Sequence, residues 1–351
     1  MTLNELSFKQ LPKISLHDHL DGGLRPQTVI DLAAEVGHTL PASQGDELEK
    51  WFYEAANSGS LVTYLETFDH TVAVLQTESA LFRVASEAVQ DLAADGVRYA
   101  ELRWAPEQHL QRGLSLQQTV AAVAQGIKDG IEKSSQNGFK IEAQQLITAM
   151  RHADRWEEIA QLAVQEREQL VAGFDIAGAE LGFLPSRFPK AWEILNENNL
   201  NITIHAGEAD GPNSIAEALI IGRAQRIGHG VRIIEDIDAS GQLGSVARRV
   251  LDRQIPLELC PSSNLQTGAA EDIATHPITK LKQLGFKVTI NPDNRLVSGT
   301  SLTQEYELLV DQAQWSRQDL YQATINSAES AFLPWERKVA LIADIKAGWQ
   351  K

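Results

Sequence analysis

Two histidines separated by one residue stand near the start of the chain, in the segment His17-Asp18-His19. Successive side chains of a strand alternate between its faces, so His17 and His19 are expected to point the same way, about 6.6 Å apart. Two imidazoles at that separation can converge on one Zn²⁺ ion. The alternative is a pair of surface or packed histidines, but the turn Leu20–Gly23 that follows favours a site at a strand end.

A second candidate segment follows a β-branched apolar run later in the chain. Ile202–His205 is a predicted strand that ends on a histidine, and Glu208 comes three residues later. His205 would be a third neutral metal ligand. Glu208 is either a general acid or base or a charge at the start of the next helix, and the segment alone does not separate the two.

Two further segments place polar residues after short apolar runs. His229 lies between two glycines, whose backbone permits close approach and unusual φ angles; the alternative is a turn with a bystander histidine. Pro292 ends strand pairing, so Asp293 and Asn294 are expected to project from a strand end. Asp293 can complete a His₃Asp ligand set, although Asp is also a common turn residue.

Composition narrows the class of protein. The chain has 351 residues and a formal net charge of −16, which disfavours nucleic acid and anionic membranes as partners. Cys260 is the only cysteine, so the cysteine-based zinc sites of nucleic-acid deaminases are excluded. The start lacks the pattern of a secretory signal, and no apolar run approaches about 20 residues, which predicts a cytoplasmic location. A small uncharged or cationic molecule is the expected partner.

Short apolar runs alternate with amphipathic segments along the chain. The predicted strands are Ile14–His19, Val97–Trp104, Ile141–Met150, Val171–Ile176, Ile202–His205, Arg226–Gly228, Ile255–Cys260 and Phe286–Ile290. Strands that alternate with helices imply parallel pairing, and eight such units predict an α/β fold, a closed (β/α)₈ barrel. An open doubly wound sheet is the alternative. In the barrel, the candidate residues all follow strands at the carboxyl-terminal rim.

The first connection is too long for one crossover helix. Residues 21–96 are therefore expected to hold a helical insertion that forms a lid or pocket wall, and residues 304–351 to form C-terminal helices. The extra helices of the insertion are predicted at Pro26–Glu35, Glu47–Ala56 and Leu61–Leu75. Because no Gly/Ser linker separates these parts, residues 1–351 are predicted to form one domain.

Several ordered motifs, spread over about 280 residues, resemble the adenosine deaminase-like branch of the metal-dependent amidohydrolases. The segments that carry the resemblance are Pro12–Pro26, Asp175–Glu180, His205–Glu208, Arg226–Gly230, Cys260–Asn264 and Asn291–Asn294. The resemblance implies a zinc-dependent hydrolase that converts adenosine and 2′-deoxyadenosine to inosine and 2′-deoxyinosine, with release of ammonia. It further implies one zinc ion per chain, held by His17, His19, His205 and Asp293.

The resemblance also implies catalytic and binding roles. Glu208 would be protonated and donate to purine N1, while His229 and Asp293 would position and polarise the hydroxide that attacks C6. The implied substrate contacts are His19, Asp21 to the ribose 5′-hydroxyl, the Gly178 backbone N–H to N3, and Asn294 to N7. Asn294 departs from the family, in which Asp is usual, and an amide donates to N7 at any pH.

Three alternatives stay open at the level of sequence. Adenine or another aminopurine derivative is an alternative substrate, whereas adenosine monophosphate is disfavoured by the acidic chain. A binuclear amidohydrolase commonly uses a bridging lysine on its fourth strand, and Val171–Glu180 contains none. A non-catalytic purine-binding barrel is disfavoured because binding alone needs neither Glu208 nor His229.

Overall fold

The computed structural model describes residues 8–350, with a barrel of eight parallel strands at its centre. The strands are β1 Lys13–His19, β2 Val97–Trp104, β3 Glu142–Met150, β4 Val171–Ala177, β5 Asn201–Ala206, β6 Arg226–His229, β7 Leu257–Leu259 and β8 Val288–Ile290. Each strand pairs with the next one along the chain. After β8, the Asp293 amide donates to the His17 carbonyl at 3.1 Å, and the Asp293 carbonyl accepts from the His19 amide at 2.7 Å. These bonds bring the end of the last strand against the first.

The prediction of a (β/α)₈ barrel is confirmed. All eight predicted strands are present, including the short sixth strand. The alternative of a doubly wound sheet is wrong, because the strand order follows the chain without reversal and Asp18 bridges to Asp293. The carboxyl ends of the strands therefore meet on one rim, where active sites of such barrels lie.

Fifteen α-helices accompany the strands within residues 8–350. They are α1 Pro26–Val36, α2 Gly45–Ala56, α3 Leu61–Glu66, α4 Phe68–Val74, α5 Glu78–Ala94, α6 Leu116–Gln136, α7 Trp156–Gln165, α8 Pro189–Glu197, α9 Pro212–Ile220, α10 Ser245–Asp252, α11 Pro261–Gln266, α12 Pro277–Gln283, α13 Leu302–Ala313, α14 Arg317–Ser330 and α15 Trp335–Trp349. Five of them, α1–α5, separate β1 from β2, and α13–α15 follow β8. Over these residues, every helix is too short or too polar to cross a membrane.

Two local predictions differ from the structure. The segment predicted as one helix from Leu61 to Leu75 is two helices, α3 and α4. They meet at Thr67, whose hydroxyl and backbone amide both donate to the Tyr64 carbonyl, at 2.7 and 3.2 Å. Helices α11 and α12 had not been predicted, although each begins with a proline, which is common in the first turn.

Charged side chains fill the barrel interior beneath the rim. Arg103 on β2 donates to Asp175 on β4 at 2.8 Å and to Glu258 on β7 at 2.7 Å. Arg226 on β6 lies 2.6 Å from Glu258 and also pairs with Glu101 on β2. All five residues are buried. Because a buried charge is costly unless it is paired, each member of this ion-pair chain requires its neighbours.

Replacing Arg226 with methionine should test this chain of ion pairs, because Glu101 and Glu258 would lose the cation they share. We expect the free energy of unfolding to fall by about 3–5 kcal/mol, the usual cost of removing one partner of a buried pair. Urea unfolding followed by circular dichroism measures the change. Arg253→Met, at an exposed position, is the control and should change stability by less than about 0.5 kcal/mol. Equal effects of the two substitutions would contradict the prediction.

Candidate active site

Four side chains on the rim bring their polar atoms to one point. The possible ligand atoms of His17, His19, His205 and Asp293 all lie within 4.8 Å of one another. Nε2 of His17 and Nε2 of His19 are each 3.3 Å from Asp293 Oδ1, and Nε2 of His19 is 3.1 Å from Nε2 of His205. None of the four side chains is more than 12% exposed. Three imidazoles and one carboxylate arranged in this way can hold a metal ion.

Groups behind two of the histidines support this interpretation. His17 Nδ1 lies 3.1 Å from Glu258, and His205 Nδ1 lies 2.8 Å from Asp175, so Nε2 of each imidazole faces the cluster. Among the residues that the structure describes, buried His17 Nε2 and Asp293 Oδ1 have no hydrogen-bond partner. Carboxylates that orient imidazoles from behind are typical of metal centres. The residues therefore fit a bound metal ion.

Glu208 and His229 face the same cluster from neighbouring strand ends. Nε2 of His229 is 3.6 Å from the Glu208 carboxyl group and 4.0 Å from Asp293. Nδ2 of Asn264, on α11, lies 3.1 Å from His229 Nδ1 and 3.4 Å from Glu208 Oε1. The Thr267 hydroxyl donates to Glu208 at 3.0 Å. Helix α11 and the residue that follows it therefore fix both side chains.

The backbone at this rim adopts an unusual conformation. His229 has a φ of 58° and Asp293 a φ of 63°, in the left-handed region that residues other than glycine rarely adopt. A Cβ atom at Gly228 would lie 3.1 Å from both the His17 ring and the His205 backbone, so glycine permits this approach. The close approach and unusual φ predicted around His229 are confirmed. Such outliers cluster at active sites, where the surrounding structure holds them.

Burial and neighbouring charges set the protonation states at the site. Burial raises the pKa of Glu208 well above its usual value, and the charges of Asp293 and Glu180 raise it further. Burial lowers the pKa of His19 and of His229 well below the usual histidine value. These shifts favour a protonated carboxyl group at Glu208 and neutral imidazoles at His19 and His229. A proton donor must hold its proton, and a histidine must be neutral to bind a metal ion.

A pocket of about 840 Å³ opens above the cluster. The predicted site residues that line it are His19, Asp21, Gly178, His205, Glu208, His229, Asp293 and Asn294. His17 lies below them, against Asp293. The helices α3 and α4 supply an apolar wall through Leu61, Leu65, Phe68 and Val72. The structure therefore brings all nine predicted site residues together.

Hydrogen bonding, burial and backbone conformation respectively distinguish three residues that are predicted to contact a substrate: Asn294, Asp21 and Gly178. Nδ2 of Asn294 donates to the Tyr64 hydroxyl at 2.8 Å, and that hydroxyl lies 2.8 Å from Ser298 Oγ, so the insertion orients this amide. Asp21 is buried, and burial raises its pKa to about 7. Gly178 has a φ of 99°, a conformation that favours glycine.

Several residues of the site had not been assigned from the sequence. Asp175 and Asn264 lie within the motifs that carry the resemblance, so a signal for them existed. Glu258 and Thr267 have no local signal, because their partners in the site lie 241 and 59 residues away along the chain. Tyr64 contacts Asn294 across 230 residues, and the sequence indicates it only as part of the predicted helix Leu61–Leu75.

Comparison with known proteins agrees with this geometry. The family model of adenosine deaminase matches residues 12–348. The chain belongs to the adenosine deaminase family. Adenosine deaminase 1 of Streptomyces coelicolor is 52% identical, over 97% of this chain and 88% of its own length. The resemblance seen in the motifs is confirmed.

Solved structures with adenosine deaminase-like barrels superpose over nearly the whole chain. The adenine deaminase of Arthrobacter aurescens has a TM-score of 0.84 at 28% identity, covering 97% of this chain and 100% of that one. The N6-mAMP deaminase of Arabidopsis has a TM-score of 0.82 at 26% identity, covering 97% and 99%. The fold of this member of the adenosine deaminase family is thus that of the metal-dependent amidohydrolases, with a candidate His/Asp metal site on the rim.

Asp175→Asn tests whether the Asp175 carboxylate orients the His205 imidazole for metal binding in this adenosine deaminase family member. Asp175 Oδ2 faces Arg103 and His205, while its Oδ1 accepts the backbone amides of Ile176 and His205, so an uncharged amide would turn its NH₂ group toward donors on one side. We therefore expect metal affinity to fall by about 10- to 100-fold. Metal content is measured by atomic emission after dialysis against buffers of fixed free zinc. Asp272→Asn removes the charge of an exposed turn carboxylate and should leave metal content unchanged. Wild-type affinity in Asp175→Asn would refute the support role.

Proposed function

We propose that this chain is a hydrolase that deaminates adenosine and 2′-deoxyadenosine to inosine and 2′-deoxyinosine, with release of ammonia. Membership of the family and the activity named for the Streptomyces relative support the proposal. The observation that carries it is the Glu208 carboxyl group, buried beside the His₃Asp cluster with a raised pKa. A carboxyl group that keeps its proton near pH 7 can donate to a ring nitrogen.

The ion that we assign to the cluster is one Zn²⁺ per chain, held by His17, His19, His205 and Asp293. Imidazole and carboxylate are common zinc ligands, and catalytic sites of this type combine them. When bound, zinc brings the pKa of water from 15.7 to about 7, which makes hydroxide available at neutral pH.

The protein's own side chains guide the reacting groups. Glu208, held by Thr267 and Asn264, donates its proton to purine N1, which makes C6 more electrophilic. His229 and Asp293 face the same point and orient the attacking oxygen, and a neutral imidazole can accept a proton from it. A C6–O bond forms, and the proton that His229 accepts passes to the amino group. The C6–N bond then breaks, ammonia leaves, and the remaining proton on the C6 oxygen returns to Glu208.

The substrate contacts are assigned to residues that line the pocket. Asp21 contacts the ribose 5′-hydroxyl, the Gly178 backbone N–H donates to N3, and Asn294 donates to N7. One N–H of the Asn294 amide is engaged by Tyr64, which leaves the second for the purine. His19 contributes to the substrate contact as well as to the ion.

The charge of the pocket favours a nucleoside over a nucleotide. Glu66, Asp69 and Glu107 line it, whereas no Lys or Arg side chain from residues 8–350 does. Phosphate groups are usually bound by cationic side chains or clustered amides, so adenosine monophosphate would meet repulsion here. The pocket of about 840 Å³ has room for the ribose as well as the purine, so its size admits a nucleoside.

A substrate panel should separate these alternatives. With zinc-loaded protein, we expect adenosine and 2′-deoxyadenosine to be turned over, with kcat/KM for adenine and for adenosine monophosphate at least about 10³-fold lower. Ammonia release measures each rate. Preference for adenine would support the alternative substrate, and equal turnover of the monophosphate would contradict the charge argument. Binding without turnover of any aminopurine would refute the proposed function.

Glu208→Gln should separate catalysis from metal binding. The amide keeps the shape of the side chain but has no acidic proton, so we expect kcat for adenosine to fall by about 10²- to 10⁴-fold. Metal content and the circular dichroism spectrum should match those of the wild type. Glu197→Gln changes an exposed glutamate at the end of α8 and should retain wild-type turnover. Near-normal turnover in Glu208→Gln would show that this residue is not the proton donor.

A further inference from the structure

Glu180 lies just past the end of β4, and the proposed chemistry gives it no role. Its side chain is buried, with 3% of the residue exposed. Its two carboxylate oxygens accept hydrogen bonds from four consecutive backbone amides: those of Gly207 at 2.6 Å, Glu208 at 3.1 Å, Ala209 at 2.7 Å and Asp210 at 3.0 Å. The Ser214 hydroxyl donates a fifth bond at 2.5 Å. Few carboxylates receive so many donors, and all four amides belong to one loop.

These bonds do not cap a helix. Helix α9 begins at Pro212, and the Ser214 amide in its first turn donates to the Gly211 carbonyl. The four amides that bind Glu180 precede the helix, in the loop between β5 and α9. Glu208 is part of this loop, so Glu180 holds the backbone of the proposed proton donor rather than the helix that follows.

The strand that leads into the loop is held as well. Arg151 is buried, and its guanidinium donates to the carbonyl of His205, the second-last residue of β5, and to the carbonyl of Phe183. Burial alone would raise the pKa of Glu180, but the charge of Arg151, the Ser214 hydroxyl and the loop amides outweigh it and lower the pKa. Glu180 is therefore a carboxylate anion, and its charge faces the loop amides.

We propose that Glu180 is a positioning residue for catalysis, which fixes the 207–210 backbone so that the Glu208 carboxyl group points at the substrate. The inference rests on the proposed function, because it assigns Glu180 a role through the proton donor. Thr267 and Asn264 hold the tip of Glu208, and Glu180 holds its base. Displacement of a catalytic group by about 1 Å can cost about 10²-fold in rate.

Glu180→Gln tests the proposal, since an amide of the same shape places an NH₂ group against donors that need an acceptor. We expect hydrogen exchange of the 207–210 amides to become faster by about tenfold or more. We expect kcat for adenosine to fall by about 10- to 100-fold while KM stays within about threefold, because the loss affects the transition state. Metal content should equal that of the wild type.

Asp236→Asn is the matched control. Asp236 accepts the backbone amides of Val246 and Ala247 at 2.9 and 2.8 Å, where α10 begins, and it does not line the pocket. This variant should lose stability without losing kcat. If Glu180 acts through Glu208, adding Glu180→Gln to Glu208→Gln should lower kcat much less than it does in the wild type.

Three results would overturn the inference: unchanged exchange of the 207–210 amides, faster exchange with unchanged kcat, or full additivity with Glu208→Gln. Hydrogen exchange needs no substrate, so it stands apart from the proposed function. If the wild type deaminates no aminopurine, the proposed function fails, and unchanged exchange in Glu180→Gln would still show that Glu180 does not hold the loop.

Discussion

The pairing of buried charge inside the barrel is the constraint on which the rest of the site depends. Two of the cluster imidazoles are oriented by carboxylates, His17 by Glu258 and His205 by Asp175. Those carboxylates stay ionised in a buried setting because Arg103 lies between them. The rim geometry is therefore set one layer below the rim, by charges contributed from several strands.

To bring these side chains to one point, the ends of β8, β1 and β6 must lie close together. Asp293 meets β1 through backbone bonds to both His17 and His19, and Gly228 leaves room for the imidazole of His17. The left-handed backbone of His229 and Asp293 turns their side chains to the common point. Backbone strain of this kind costs free energy, and it persists only where packing and hydrogen bonds hold it in place.

The sequence predicts those elements and residues that a pattern within a short stretch of consecutive residues marks. Each strand is a short, largely apolar run, and the rim residues lie at its end or just after it, so both the barrel and the His₃Asp cluster can be inferred without coordinates. Glu258 offers no such signal, because only the closed barrel brings it to His17, 241 residues away. Apolar periodicity also does not mark the division of the predicted helix at Thr67, where α3 ends and α4 begins.

The negative side chains around the pocket bear on both the proposed chemistry and the proposed substrate class. Besides burial, the negative charges of Asp293 and Glu180 raise the pKa of Glu208, which a proton donor requires. The same sign of charge continues along the pocket wall through Glu66, Asp69 and Glu107. No Lys or Arg from residues 8–350 lines the pocket to bind a phosphate group. The charge of the wall therefore agrees with the proposed neutral nucleoside.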